Sequence, residues 1–203
     1  MFCVVTGGSG SGKSGYGEAL LSRAEGEKFY IATMEVFGRE AERRVERHRQ
    51  MRAGKGFITI EKPRGIEEIC LADQVCRGHP CAVLLECMSN LAANELFGTA
   101  EEMETSAPGS SERRAEAAFL RIQKGILHLK DQCGLLVVVT NEIFSDGIVY
   151  GPEIQAYIRL LGRIDAWMAG QADQVTEVVY GIPLHLKGGG LSPVEDRKAS
   201  RSV

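Results

Sequence analysis

The chain has 203 residues, a formal net charge of -3, 44% hydrophobic and 25% charged residues, the profile of one soluble domain able to bury a core without metals or disulfides. That charge excludes a global attraction to nucleic acid or anionic membrane, so any anion is bound locally. No basic leader precedes the first apolar run and no stretch nears the roughly 20 apolar residues of a spanning helix, which sets the expectation of a cytoplasmic protein with no membrane span and no nucleic-acid partner. The six cysteines lie in apolar runs without CxxC pairs and are expected to be reduced and mostly buried.

The first predicted strand, residues 2–6, runs directly into GGSGSGKS at 7–14. The spacing G-x-x-x-x-G-K-S, after a strand and before a predicted helix over 13–24, is that of a phosphate-binding loop. Gly7, Gly8, Ser9, Gly10, Ser11 and Gly12 let backbone N–H groups converge on phosphate oxygens at a helix N-terminus. In such a loop Lys13 reaches the β- and γ-phosphates and the Ser14 hydroxyl binds Mg²⁺. A strand is predicted over 28–33, then a helix over 39–53 with six arginines and one histidine, in which Arg44, His48 and Arg52 lie four apart. It is either a solvated charged face or a holder of a second phosphate-bearing group, with the imidazole as acid, base or nucleophile.

Residues 57–61 read as a strand, 65–76 as a helix and 82–86 as a strand that ends in Glu86. A carboxylate there emerges where open α/β sheets bind ligands and suits the second magnesium partner of the loop; alternatively it caps the next helix. A helix follows over 88–97, and residues 98–111, polar and without period, are expected to be a mobile surface connection. Then come a helix over 112–131, a strand over 135–140 that delivers Asn141 and Glu142 to its end, a helix over 153–170 and a strand over 175–180. His79, His128 and His185 read as structural or exposed. Strand runs without alternation predict cover on both faces. The expected architecture is a three-layer α/β P-loop NTPase fold, RecA-like, with a mostly parallel central sheet flanked by helices and a C-terminal antiparallel edge strand. Residues 1–187 form one nucleotide-binding domain in this reading, and 188–203 a flexible tail.

Taken in order, VVTGGSGSGKSGYGE, FYIATM, the R-V-x-x-H-R-x-x-R pattern from Arg44 to Arg52, LLEC with Asn94 following, TNEIFSDGIV, and the ending GRI…ADQV…VVYGIPLHLK resemble the bifunctional adenosylcobinamide kinase / adenosylcobinamide-phosphate guanylyltransferase family of cobalamin biosynthesis. The resemblance implies phosphorylation of the aminopropanol hydroxyl of adenosylcobinamide, then transfer of GMP from GTP to that phosphate. It assigns His48 as the nucleophile on the α-phosphorus of GTP, with pyrophosphate expelled. Neutral imidazole suits that chemistry near neutral pH.

The resemblance further implies that Thr33, Arg49, Gln50, Met51, Arg52, Glu61 and Glu86 contact nucleotide or its metal, with Mg²⁺ required, GTP and ATP as substrates, and a homotrimer whose sites lie near subunit contacts. Glu61 ends a strand and could accept the guanine N1 and N2 protons, or be a plain strand-end carboxylate. The chain departs from the family at Ala53-Gly54-Lys55-Gly56-Phe57, where Pro and Trp are usual, and at Leu160 and Asp165, where an acid and Asn are usual. These departures bear on the corrinoid side. Two other readings of the same residues are a divergent P-loop small-molecule kinase that forms no nucleotidyl adduct, and a non-catalytic nucleotide-binding protein.

Overall fold

The computed structural model describes residues 1–35, 54–73, 80–98, 110–145 and 147–189. Seven strands form one sheet in the order β3-β2-β4-β5-β1-β6-β7: β1 Phe2–Thr6, β2 Glu27–Ala32, β3 Phe57–Glu61, β4 Cys81–Glu86, β5 Leu135–Val139, β6 Gln174–Val179 and β7 Ile182–Lys187. All pairings are parallel except β6 with β7, so the expected antiparallel edge strand at the C-terminal end is present.

The apolar runs that lack alternation are the central strands, buried on both sides. Phe2 and Val4 of β1, Val83 and Leu85 of β4, and Leu136 and Val138 of β5 join one core cluster with helices α2 (Met88–Phe97), α3 (Ser110–Gln132) and α4 (Pro152–Gln171). Their neighbours Cys3, Val5, Ala82, Leu84, Val137 and Val139 face the other way, onto α1 (Lys13–Leu21). Cover on both faces makes the three layers. Of the cysteines, Cys3, Cys81 and Cys87 are buried and unpaired, as expected, whereas Cys70 is exposed.

A helix was expected over 65–76; residues 65–73 of it are described and form no α-helix, and 74–76 lie outside the described residues. Two short 3-10 turns, Ile66–Glu68 and Leu71–Asp73, stand in its place, separated by an extended Ile69. The cause is capture by a distant helix. His128 Nε2 lies 3.0 Å from the Ile69 carbonyl oxygen, Gln132 Nε2 donates to the same oxygen at 3.0 Å, and Gln132 Oε1 accepts the Leu71 N–H at 2.8 Å. Ile66, fully buried, presses on Gly125, where a Cβ would stand 2.4 Å from Ile66 Cγ1. Side chains of α3 thus replace the segment's own hydrogen-bond ladder, which makes His128 a structural residue.

Helix α3 begins at Ser110, two residues before its expected start. The remainder of the predicted connection, 99–109, the predicted helix 39–53, His79, and the tail beyond Gly189 lie outside the described residues.

Candidate functional site

The loop from Gly7 to Ser14 crosses from the end of β1 to the start of α1 at the C-terminal edge of the sheet. Its glycines are demanded by the geometry. Gly12 caps the helix with a φ of 94°, and a Cβ on Gly7 would stand 2.5 Å from the Val178 carbonyl oxygen, so larger residues would be strained or excluded. Two neighbouring segments tie the loop down: the Glu142 N–H donates to Gly7 O at 3.1 Å and the Gly181 N–H to Ser11 O at 2.8 Å. Among the described residues, the amides of Gly10 and Gly12 find no protein acceptor. They are left for an anion. Lys13, only 7% exposed, folds its ammonium back onto Gly8 O at 3.0 Å, a contact that a phosphate oxygen can take over.

Strand β5 separates β1 from β4, so Glu86 faces the loop from two strands away. The long acidic side chain closes that gap: Ser14 Oγ donates to Glu86 Oε1 at 2.5 Å. Its other oxygen accepts the Tyr30 hydroxyl at 2.8 Å. Tyr30 is buried on β2 and packs edge-on against Phe57 of β3. Sequence reading missed Tyr30; its signal is a lone hydroxyl inside the apolar run FYIA. Ser14 and Glu86 are both hard oxygen donors, as Mg²⁺ prefers, and among the described residues no group of three or more His, Cys, Asp or Glu could hold a metal. The two oxygens suit an ion that takes its remaining ligands from substrate phosphates and water.

The predicted Thr33 is fully buried, and its hydroxyl donates to Cys87 O at 2.8 Å. Its N–H donates to Glu86 O at 3.1 Å. In this conformation Thr33 acts on the site by fixing the backbone that carries Glu86. Asn94, from α2, joins the same tie by donating to Thr33 O at 2.8 Å and Pro63 O at 3.0 Å, which clamps the ends of β2 and β3 together. Glu61 stands exposed at the end of β3, beside Ala32 of β2. Four strand spacings separate β3 from β1, about 19 Å at ~4.8 Å each. Lys13, Ser14 and Glu86 therefore converge, while Glu61 marks the far end of the same edge. His48, Arg49, Gln50, Met51 and Arg52 lie outside the described residues.

Past β5 the chain builds a polar cluster behind the loop. Asn141 Nδ2 donates to Ser89 Oγ at 2.5 Å, Tyr157 donates its hydroxyl to Ser89 O at 3.1 Å, and Cys87 Sγ lies 3.0 Å from Ser89 Oγ. Burial pushes the Tyr157 hydroxyl up to about 12 and raises the Cys87 thiol. Asp165 is pushed to about 7, chiefly by burial and eased by the nearby Thr140, yet Asp165 Oδ1 and Thr140 Oγ1 are both enclosed without a hydrogen-bond partner. The Glu142 carboxylate is spent locally, accepting from Phe144 N and Ser145 Oγ at 2.9 Å each. Beside it a cavity of about 500 Å³ opens between Ile143, Tyr150, Ile154 and Tyr157.

A phosphate loop with unspent amides, a buried lysine and a hydroxyl–carboxylate pair, set on the C-terminal edge of a mostly parallel sheet, define a P-loop NTPase fold built to use a nucleoside triphosphate. The family profile described as "Cobinamide kinase / cobinamide phosphate guanyltransferase" matches residues 3–186. Three relatives agree. "Bifunctional adenosylcobalamin biosynthesis protein CobU" of Escherichia coli (strain K12) is 32% identical over 92% of this chain and 100% of its own length. The protein of the same name from Salmonella typhimurium is 33% identical over 92% of this chain and 100% of its own. "Bifunctional adenosylcobalamin biosynthesis protein CobP" of Pseudomonas aeruginosa is 25% identical over 91% and 96%. The chain belongs to the cobinamide kinase / cobinamide phosphate guanyltransferase family.

Proposed function

We propose that the chain phosphorylates the aminopropanol hydroxyl of adenosylcobinamide with ATP or GTP and then, through a guanylyl-histidine at His48, passes GMP from GTP to the new phosphate to give adenosylcobinamide-GDP. The observation that carries this reading is the contact of Ser14 with Glu86 across two strands, which sets two hard oxygens together beside the loop in a chain whose residues 3–186 match the family.

In the first step the loop amides and Lys13 orient the triphosphate and offset charge on the transferring phosphoryl group. Lys13 leaves Gly8 O to do so. Ser14 and Glu86 would hold Mg²⁺, which would supply positive charge to offset the charge developing on the phosphates. The buried Tyr30 and Thr33 hold Glu86 and its backbone in place. The acceptor's hydroxyl-bearing arm enters the cavity beside Glu142, the opening next to Gly7. In the second step the imidazole of His48 forms a P–N bond at the α-phosphorus as the bond to pyrophosphate breaks; an oxygen of the cobinamide phosphate then takes the GMP and frees the imidazole. A cytoplasmic homotrimer completes the proposal, and a solution mass of a single chain would contradict it.

Incubation with α-labelled GTP and Mg²⁺ is expected to leave an acid-labile, base-stable label on the protein that His48→Ala abolishes. Label retained in that variant would refute the nucleophile. Adding adenosylcobinamide should convert the label to a GDP-linked corrinoid.

A further inference from the structure

The connection between β6 and β7 is two residues long, Tyr180 and Gly181, with Val179 paired to Ile182 across it. Its φ angles are 51° and 79°, a hairpin turn with both central residues in the left-handed region, where Asn, Asp and Gly are favoured and a bulky aromatic is sterically disfavoured. Among the described residues Tyr180 alone holds a positive φ without being glycine. Packing does not account for it, because the side chain is 93% exposed. Strained non-glycine residues persist where the surrounding structure fixes them, and they gather at ligand sites.

What fixes this turn is the phosphate loop itself. Gly181 donates its N–H to Ser11 O at 2.8 Å, and a Cβ on Gly12 would stand 3.4 Å from Gly181 Cα. The ring is thus held one residue from the contact with the phosphate loop, on the flank of β1 opposite Glu86.

We propose that Tyr180 is the base platform of the phosphoryl donor: its ring stacks the purine of the nucleotide whose triphosphate lies in the 7–14 loop. The inference rests on the kinase half of the function proposed above and adds the subsite for the base. Stacking accepts any base, since each presents a π-face, so this subsite takes ATP and GTP alike. Glu61 is a different kind of recogniser, a carboxylate that can select guanine by its N1 and N2 protons, and it sits on the opposite side of β1. One phosphate loop then serves two nucleotide poses. A tolerant one turns the base toward β7 for phosphoryl transfer, and a guanine-specific one turns it toward β3 for guanylyl transfer.

The test is Tyr180→Asn in the full chain. Asn is favoured in this turn, so the melting temperature is expected to hold or rise while the Kd for Mg²⁺-ATP, read by calorimetry, rises about tenfold. Tyr180→Phe should keep the affinity. Labelling of His48 by saturating GTP should be unchanged in both variants. An unaltered ATP affinity in Tyr180→Asn would overturn the platform. So would a lowered melting temperature in that variant, which would mean that the ring packs in the folded protein or against a second copy. ATP binding that depends on Tyr180 without any phosphorylation of adenosylcobinamide would leave the platform standing and remove the proposed acceptor.

Discussion

The connections after β1 and after β3 both leave the C-terminal edge of the sheet with helical sequence patterns, and of these two only the one after β1 becomes an α-helix. After β3 the backbone is claimed by side chains from elsewhere: Glu95 takes the Gly65 N–H at 2.7 Å, Gln132 takes the Leu71 N–H, and His128 and Gln132 take Ile69 O. After β1 neighbouring segments hold the loop through Glu142, Gly181 and Glu86, and among the described residues the Gly10 and Gly12 amides keep no protein acceptor. The segment after β3 is finished as a piece of core, whereas the loop after β1 keeps donors that an anion could take. What separates a site from a structural turn here is who holds the backbone donors, more than which residues carry them.

The largest break in that contrast is Lys13→Ala. It removes the loop's one buried cation, and phosphorylation of adenosylcobinamide is expected to fall about 10²–10³-fold in single-turnover measurements with γ-labelled ATP, with little change in the urea midpoint. On the captured segment the effect is on stability instead. Gly125→Ala puts a methyl group into Ile66 and should cost about 1–3 kcal/mol of unfolding free energy. Combining it with Ile66→Ala should cost less than the sum of the two single changes, because the second makes room for the first.

The smallest effect concerns Asp165 on α4, near Thr140 just past the end of β5, which belongs to neither extreme. Asp165 stands where the family usually has Asn, and burial raises its pKa from 3.8 to about 7. A raised carboxyl pKa costs the folded state nothing below pH 4, an increasing amount from pH 4 to 7, and a constant amount above. Asp165→Asn removes that cost, so its melting temperature should exceed the parent's at pH 8 and match it near pH 4. The full shift corresponds to about 4 kcal/mol; solvent still reaches part of the residue, so about 1–2 kcal/mol is expected. A gain of equal size at both pH values would show that packing, not ionisation, is responsible.

The strands were legible because each is a short apolar run, and the four whose expected bounds differ from the structure are off by a single residue at either end. The loop and Glu86 were legible because their chemistry requires particular residues at particular spacings. The failure at 65–76 has a physical cause: local periodicity favoured a helix, but partners some 60 positions away in α3 offered the backbone better terms. Tyr30 and the tie made by Asn94 were hidden for a related reason. Both depend on β2 lying between β3 and β4, and strand order is not a local property. Tyr180 did carry a local signal, a Tyr-Gly pair between two β runs where Asn-Gly is the common choice.

The strand order has a consequence for how the protein yields under stress. The proposed phosphate site lies at the ends of β1 and β4, whose residues are almost wholly buried, whereas Glu61 and the Tyr180 turn hang on the two edge strands, the half-buried β3 and the largely exposed β7. Edge elements open locally long before a core does. Mild denaturant, or warming short of global melting, is accordingly expected to fray the two proposed base subsites first and to leave the phosphate subsite standing.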